Sequence, residues 1–160
     1  MKSIIEKRLS SLVGKRFSRS NRTLNLECLQ FGQLTKIDGG EIGEEAIHIS
    51  CTWRIVGRTL YVGSKDIEFD KGGSYVCNID WDFETYRDVM IQELLERNEL
   101  LVTNVVADDF GGFEILFEKG IRLQVIPTSG SPEPGNEYWR IFAPGEENDK
   151  HFVVTSRGIE

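Results

Sequence analysis

Along most of this chain apolar and polar residues alternate with period two, and helical spacing shows in only two places. The clearest alternation covers residues 46 to 55, where Ile47, Ile49, Cys51, Trp53 and Ile55 share one parity and His48, Ser50, Thr52 and Arg54 the other. In an extended chain, successive side chains point to opposite faces, so the pattern predicts one strand with a buried and a polar face. Gly57 marks a turn after it, and Leu60-Tyr61-Val62 can pair back as a hairpin. Thr23 to Phe31 reads as an earlier strand, with Asp38-Gly39-Gly40 as the turn between. In the last third, Leu101 to Ala107, Phe113 to Phe117 and Ile121 to Ile126 form a meander turned at Lys119-Gly120. A breaker-rich loop from Pro127 to Asn136 then leads to strands at Tyr138 to Phe142 and Phe152 to Thr155.

Two segments carry helical spacing. Ser3-Ile4-Ile5-Glu6 has the form of a capping box, with Ile5, Leu9 and Leu12 on one face and Gly14 as a stop. Asp82 predicts the N-cap of a second helix over Phe83 to Arg97, with Phe83, Tyr86, Met90 and Leu94 on its apolar face. Between the strands and this helix, Asp66 to Asp82 is acidic and glycine-bearing. Ile67 and Phe69 alternate there as in a half-buried strand, and a short strand is placed around Tyr75 to Ile79. The expected fold is α+β, a mainly antiparallel sheet with two helices in one domain over residues 1–160.

Ile47-His48-Ile49-Ser50 before Trp53-Arg54-Ile55 is matched by Leu123-Gln124-Val125-Ile126 before Trp139-Arg140-Ile141. Each tract follows a helix, which suggests two similar halves, 1–80 and 81–160, around one core. Trp53 and Trp139 are expected in that core, while Arg54 and Arg140 project from the opposite face and need carboxylate partners or a cover.

Composition narrows the function. With 39% hydrophobic and 28% charged residues the chain is globular. Cys28, Cys51 and Cys77, odd in number and unpatterned, fit free thiols in a reducing compartment, and no apolar run approaches a membrane span, so a cytoplasmic, membrane-free protein is expected. The net charge of −7 conceals an asymmetry: residues 1–22 hold seven cations against Glu6, leaving 12 minus 25, or −13, for the remainder. Such a body repels phosphates, so nucleic acid is not an expected partner.

Candidate chemistry is sparse. His48 and Cys51 face opposite sides of their strand, and Cys28, Cys77 and His151 have no zinc-type spacing. Asp66-x-Glu68-x-Asp70 starts like a calcium loop but fails at Cys77, where a bidentate Glu is required. No metal or cofactor is expected, and neither a Gly-x-Ser-x-Gly elbow nor a phosphate-binding glycine loop occurs.

The Trp-Arg-Ile tracts, with Ile47 to Ile55 and the stretch Phe113 to Phe142, resemble small uncharacterised bacterial proteins, some of them encoded beside toxins and regarded as immunity proteins. The resemblance implies a stoichiometric inhibitor of a partner toxin. The expectation is thus a non-enzymatic module that binds a basic protein through Asp66, Glu68, Asp70, Asp80 and Asp82. The alternative is a small-molecule-binding or hydrolytic enzyme with a cleft between the halves, using His48, Arg54, Asp108 and Asp109.

Overall fold

The computed structural model describes residues 1–77, 83–133, 135–146 and 150–160. Its two helices are α1 (Lys2–Leu9) and α2 (Tyr86–Arg97). The first half supplies β1 (Phe17–Thr23), β2 (Leu26–Phe31), β3 (Thr35–Ile37), β4 (Gly40–Ile42), β5 (Glu45–Ile49), β6 (Thr52–Val56) and β7 (Leu60–Gly63). The second supplies β8 (Val102–Ala107), β9 (Phe113–Phe117), β10 (Arg122–Ile126), β11 (Glu137–Phe142), β12 (Phe152–Thr155) and β13 (Gly158–Ile159). They form an α+β fold of two antiparallel sheets, ordered β1-β2-β5-β11-β12-β13 and β7-β6-β10-β9-β8, with β3-β4 as a separate hairpin.

The tract read as one strand over 46–55 is two strands in two different sheets. β5 ends at Ile49, the chain bends where the Ser50 and Cys51 amides both donate to the Tyr138 carbonyl (2.9 and 3.2 Å), and β6 begins in the facing sheet. Alternation survives the crossing because both sheets bury their inner face in the same core. Ile47 and Ile49 point in from one side, Trp53 and Ile55 from the other. β10 and β11 repeat the crossing through the Pro127 to Asn136 loop. Trp53 consequently pairs with Val125 of β10 and Trp139 with Ile49 of β5, so each tryptophan lies opposite the strand that precedes the other.

Trp139 is fully buried, stacks edge-on against Phe113 at 4.7 Å, and donates its indole N–H to the Gly111 carbonyl at 2.7 Å. Phe17 stacks on Phe31 and on Phe117 in the same core. The helices protect open sides of the sandwich, where unpaired strand edges would otherwise recruit other chains. α2 packs against β1 and β7, and α1 against β8.

Several local expectations are corrected. Thr23 to Phe31 is not one strand: Thr23 ends β1, Leu24 takes a positive φ of 56° in a two-residue turn, and β2 starts at Leu26. The basic segment after Gly14 is largely β1 itself. Met1, not Ser3, precedes α1, without a side-chain cap. Thr85 caps α2, accepting from the Asp88 amide while Asp88 accepts from Thr85 N–H at 2.9 Å, a reciprocal box one turn beyond Asp82. The buried face of α2 is Arg87, Ile91 and Leu94. Ile67, read as alternating with Phe69 in a half-buried strand, lies instead in a 3₁₀ turn over Ser64–Glu68. Tyr75 makes a single bridge to Phe69, and residues 78–79 of the strand placed there lie outside the described residues.

Candidate functional site

Two acidic segments, 64–76 and 83–99, fold against each other. The 3₁₀ turn Ser64–Glu68 packs on α2, the Phe69 carbonyl accepts from Tyr86 N–H at 2.9 Å, and Asp70 bridges Thr85. Residues 64–99 hold ten carboxylates against four cations, a net of −6 out of −7, whereas the other 124 residues are nearly balanced at fifteen against sixteen. Asp80 and Asp82 lie outside the described residues, and the packed segments 64–76 and 83–99 hold eight carboxylates against four cations, a net of −4.

Three of the acids expected to form a binding face are engaged in holding this segment together. Asp66 Oδ2 accepts from Gly63 N–H at 2.8 Å and closes the 3₁₀ turn. Glu68 pairs with Lys65 at 2.8 Å. Asp70 Oδ1 accepts from the amides of Gly72 and Ser74 at 2.9 and 3.0 Å, folding the glycine turn. Asp80 and Asp82 lie outside the described residues. The carboxylates that remain exposed on this side are Glu84, at the entry to α2, and Glu96 and Glu99 at its exit.

Between α2 and β1 runs a groove of about 910 Å³, walled by Arg16, Arg19 and Arg22 on the strand and by Glu84, Gln92 and Glu96 on the helix. Arg22 is held by Asp88 (3.2 Å) and the Phe83 carbonyl (3.0 Å), and Arg19 by Glu41 (3.3 Å). At the base lies a buried cluster that the sequence reading missed. Arg87, 2% exposed, donates through Nε to Glu27 Oε2 at 2.8 Å, and its other nitrogens reach Glu27 Oε1, Ser20 and Asp88. Burial pushes the Glu27 carboxyl above its ordinary range, with Arg87 and Ser20 pulling it back. Asp88 sits below its usual value: burial raises it, but hydrogen bonds from Thr85 and the Arg22 guanidinium outweigh that. The signal available was Arg87-x-x-x-Ile91-x-x-Leu94, an arginine in line with an apolar stripe.

Five of the seven cations of the basic N-terminal segment are paired within the chain. Besides Arg19 and Arg22, Lys2 pairs with Glu6, Arg8 with Glu45 at 2.9 Å and Lys15 with Glu44 at 3.2 Å.

The residues of the enzyme alternative are not brought together. His48 lies on the outer face of one sheet and Arg54 on the outer face of the other, because β5 and β6 bury the same parity from opposite sides. Asp108 accepts from the Phe110 and Gly112 amides at 2.7 and 2.9 Å and organises a turn, with Asp109 exposed beside it. His48 packs edge-on against Phe142 at 4.8 Å, and its imidazole is held below its usual value, by burial first and then by Arg140. Arg140 has the carboxylate partner its position called for, Glu137, with 2.6 Å at Nε, and it also contacts His151 Nδ1 at 3.1 Å. Arg54 instead donates to the Gln124 amide oxygen at 2.7 Å and, among the described residues, has no carboxylate within ion-pair reach.

Burial pushes the Cys28 thiol up to about 11 and the Cys51 thiol to about 12. Among the described residues, no three His, Cys, Asp or Glu side chains converge as a metal site would require, and no helix is long and apolar enough to cross a membrane. Comparison with protein-family models, curated protein sequences and solved structures finds no match.

Proposed function

We propose that this protein is a non-enzymatic binding module, of the immunity-inhibitor kind, that engages a basic partner protein through the side built from α2 and residues 64–76. The observation that carries the reading is the segregation of charge. A net −4 gathered in two segments that pack together attracts a cationic surface from a distance of the order of the Debye length, about 8–10 Å at physiological salt. Internal pairing of five of the seven N-terminal cations reduces the competing positive charge.

Because Asp66 and Asp70 hold local structure, the contact falls to the exposed Glu84, Glu96 and Glu99. The test is capture of partners from a lysate of the source cells, followed by association kinetics with the purified partner. Reversing Glu84, Glu96 and Glu99 to Lys leaves melting within about 0.5 kcal/mol of the parent, as expected for exposed sites. It slows association about tenfold or more at low salt, with the difference vanishing at high salt. Association unchanged by the triple reversal, or a partner that is not basic, refutes the proposal.

A further inference from the structure

The outer face of the β7-β6-β10-β9-β8 sheet is the second feature of the surface that calls for a partner, and it is independent of the acidic side. Across its middle run Gly63, Arg54, Gln124, Glu114 and Val106, one residue from each strand in register. The guanidinium of Arg54 bonds the Gln124 oxygen, and the Gln124 nitrogen bonds Glu114 at 2.8 Å, giving a row that is positive at one end, neutral in the centre and negative at the other. Val106 and Ile126 stand out beside it at 40% and 37% exposure, and Val56 and Leu116 are half-buried on the next row.

This pattern is antisymmetric about β10, and an antisymmetric charge row is complementary to its own copy under a two-fold rotation about β10. We propose that this face packs against the same face of a second copy of the chain, with the two-fold axis running along β10. The rotation lays β6 of one copy over β9 of the other. Arg54 then meets the partner copy's Glu114, a carboxylate of the kind it lacks among the described residues of its own chain, and Val56 meets Leu116. Val106 falls over Gly63, where no side chain obstructs it, and Ile126 meets itself on the axis. The opposing cost is Arg122 facing its own copy, moderated by Glu114, which lies 3.8 Å from Arg122 within each chain. Stacked sheets sit about 10 Å apart, a gap that these side chains fill.

Five strands about 4.8 Å apart and about five residues long present roughly 400 Å² of sheet plane per copy. At about 800 Å² in total the pair falls below the standard of about 1,200–2,000 Å² for stable complexes and belongs with weak, transient interfaces, so dissociation is expected at about tens to hundreds of micromolar. The experiment is sedimentation equilibrium of the full chain from about 5 to 500 µM, covering that range. The parent is expected to pass from 18.2 kDa toward twice that mass. Arg54→Glu sets carboxylates against carboxylates at two symmetry-related points and should raise the dissociation constant about tenfold or more. The swap Arg54→Glu with Glu114→Arg restores complementarity across the two-fold and should restore the dimer. Ile126→Lys, which places two ammonium groups on the axis, should abolish it. Circular dichroism confirms that each variant is folded. A parent that stays monomeric across the range, a folded Arg54→Glu or Ile126→Lys variant that dimerises like the parent, or a folded swap that fails to restore association each overturns the proposal.

Discussion

Replacing Arg87 by Met tests whether the base of the β1–α2 groove is held by its ion cluster. The substitution keeps most of the side chain's length and removes its charge. What it leaves behind is Glu27, 2% exposed, with Ser20 as its remaining polar contact, while Asp88 keeps Arg22 and Thr85. Removing one partner of a buried pair costs about 3–5 kcal/mol, because the surviving charge has lost both its water and its counterion. At about 2–4 °C per kcal/mol for a domain of this size, melting should fall by about 6–20 °C. The loss should depend on pH in a defined direction. Burial already raises the Glu27 carboxyl in the fold, and removing Arg87 takes away the largest influence holding it down. A carboxyl raised on folding makes the folded state bind the extra proton between the unfolded and folded values, so stability falls as pH rises through that interval. The deficit of the variant should therefore be greatest near about pH 8 and shrink toward about pH 5. Thermal melts followed by circular dichroism at both pH values measure it. Adding Glu27→Met to Arg87→Met should recover most of the loss, since a volume-matched apolar pair is commonly as stable as the ion pair it replaces. A single variant that loses under about 1 kcal/mol, or a deficit that grows on acidification, refutes the reasoning.

Two further outcomes follow from the same geometry. Leu24, 53% exposed, holds a left-handed φ of 56° in the β1–β2 turn, so Leu24→Gly or Leu24→Asn should raise stability by about 1 kcal/mol, and a melting temperature below the parent's would contradict this. Cys77 is exposed whereas Cys28 and Cys51 are held near 11 and 12, so in the native protein a disulfide reagent at about pH 8 should modify one thiol rapidly and the other two only after unfolding. Three equal rates would show that the core thiols are accessible.

Sequence patterning recovered the strands of the meander, the crossing tract and the burial of both tryptophans, because period-two alternation reports only which face is buried. It does not report which sheet a strand joins, and residues 46–55 therefore read as continuous. The β3–β4 hairpin and β13 were missed because three- and two-residue strands are too short to carry a period. The cap of α2 was misplaced because Asp82 and Thr85 both suit that role in sequence, and only the reciprocal bonds with Asp88 distinguish them. The candidate site was legible as charge but not as residues. Asp66, Glu68 and Asp70 count as negative in any sum, yet turn bonds and an ion pair engage them and leave Glu84, Glu96 and Glu99 as the exposed carboxylates.

The strand registers give the buried cluster a second meaning. β1-β2-β5 followed by β6 has the same pairing order as β8-β9-β10 followed by β11, and both first strands carry a bulge after their first residue, at Phe17 and at Val102. Where the two starts meet, Phe17 N–H donates to the Leu100 carbonyl at 2.8 Å and Val102 N–H to the Lys15 carbonyl at 2.9 Å, bonds that exchange when the halves are exchanged. The two halves thus correspond strand for strand. Under this correspondence Glu27, opposite Ile49, takes the place that Phe113 holds opposite Val125, and Ser20 takes the place of Val105. One half fills these positions with apolar side chains, 3% and 8% exposed, while the other fills them with a carboxylate and a hydroxyl that must then be met by Arg87. The framework itself therefore accepts an apolar filling, and the ion cluster is a departure made on one side only. That side carries the groove and the acidic helix, so the cluster that breaks the correspondence between the halves is also the one that ties α2 to β1 and β2.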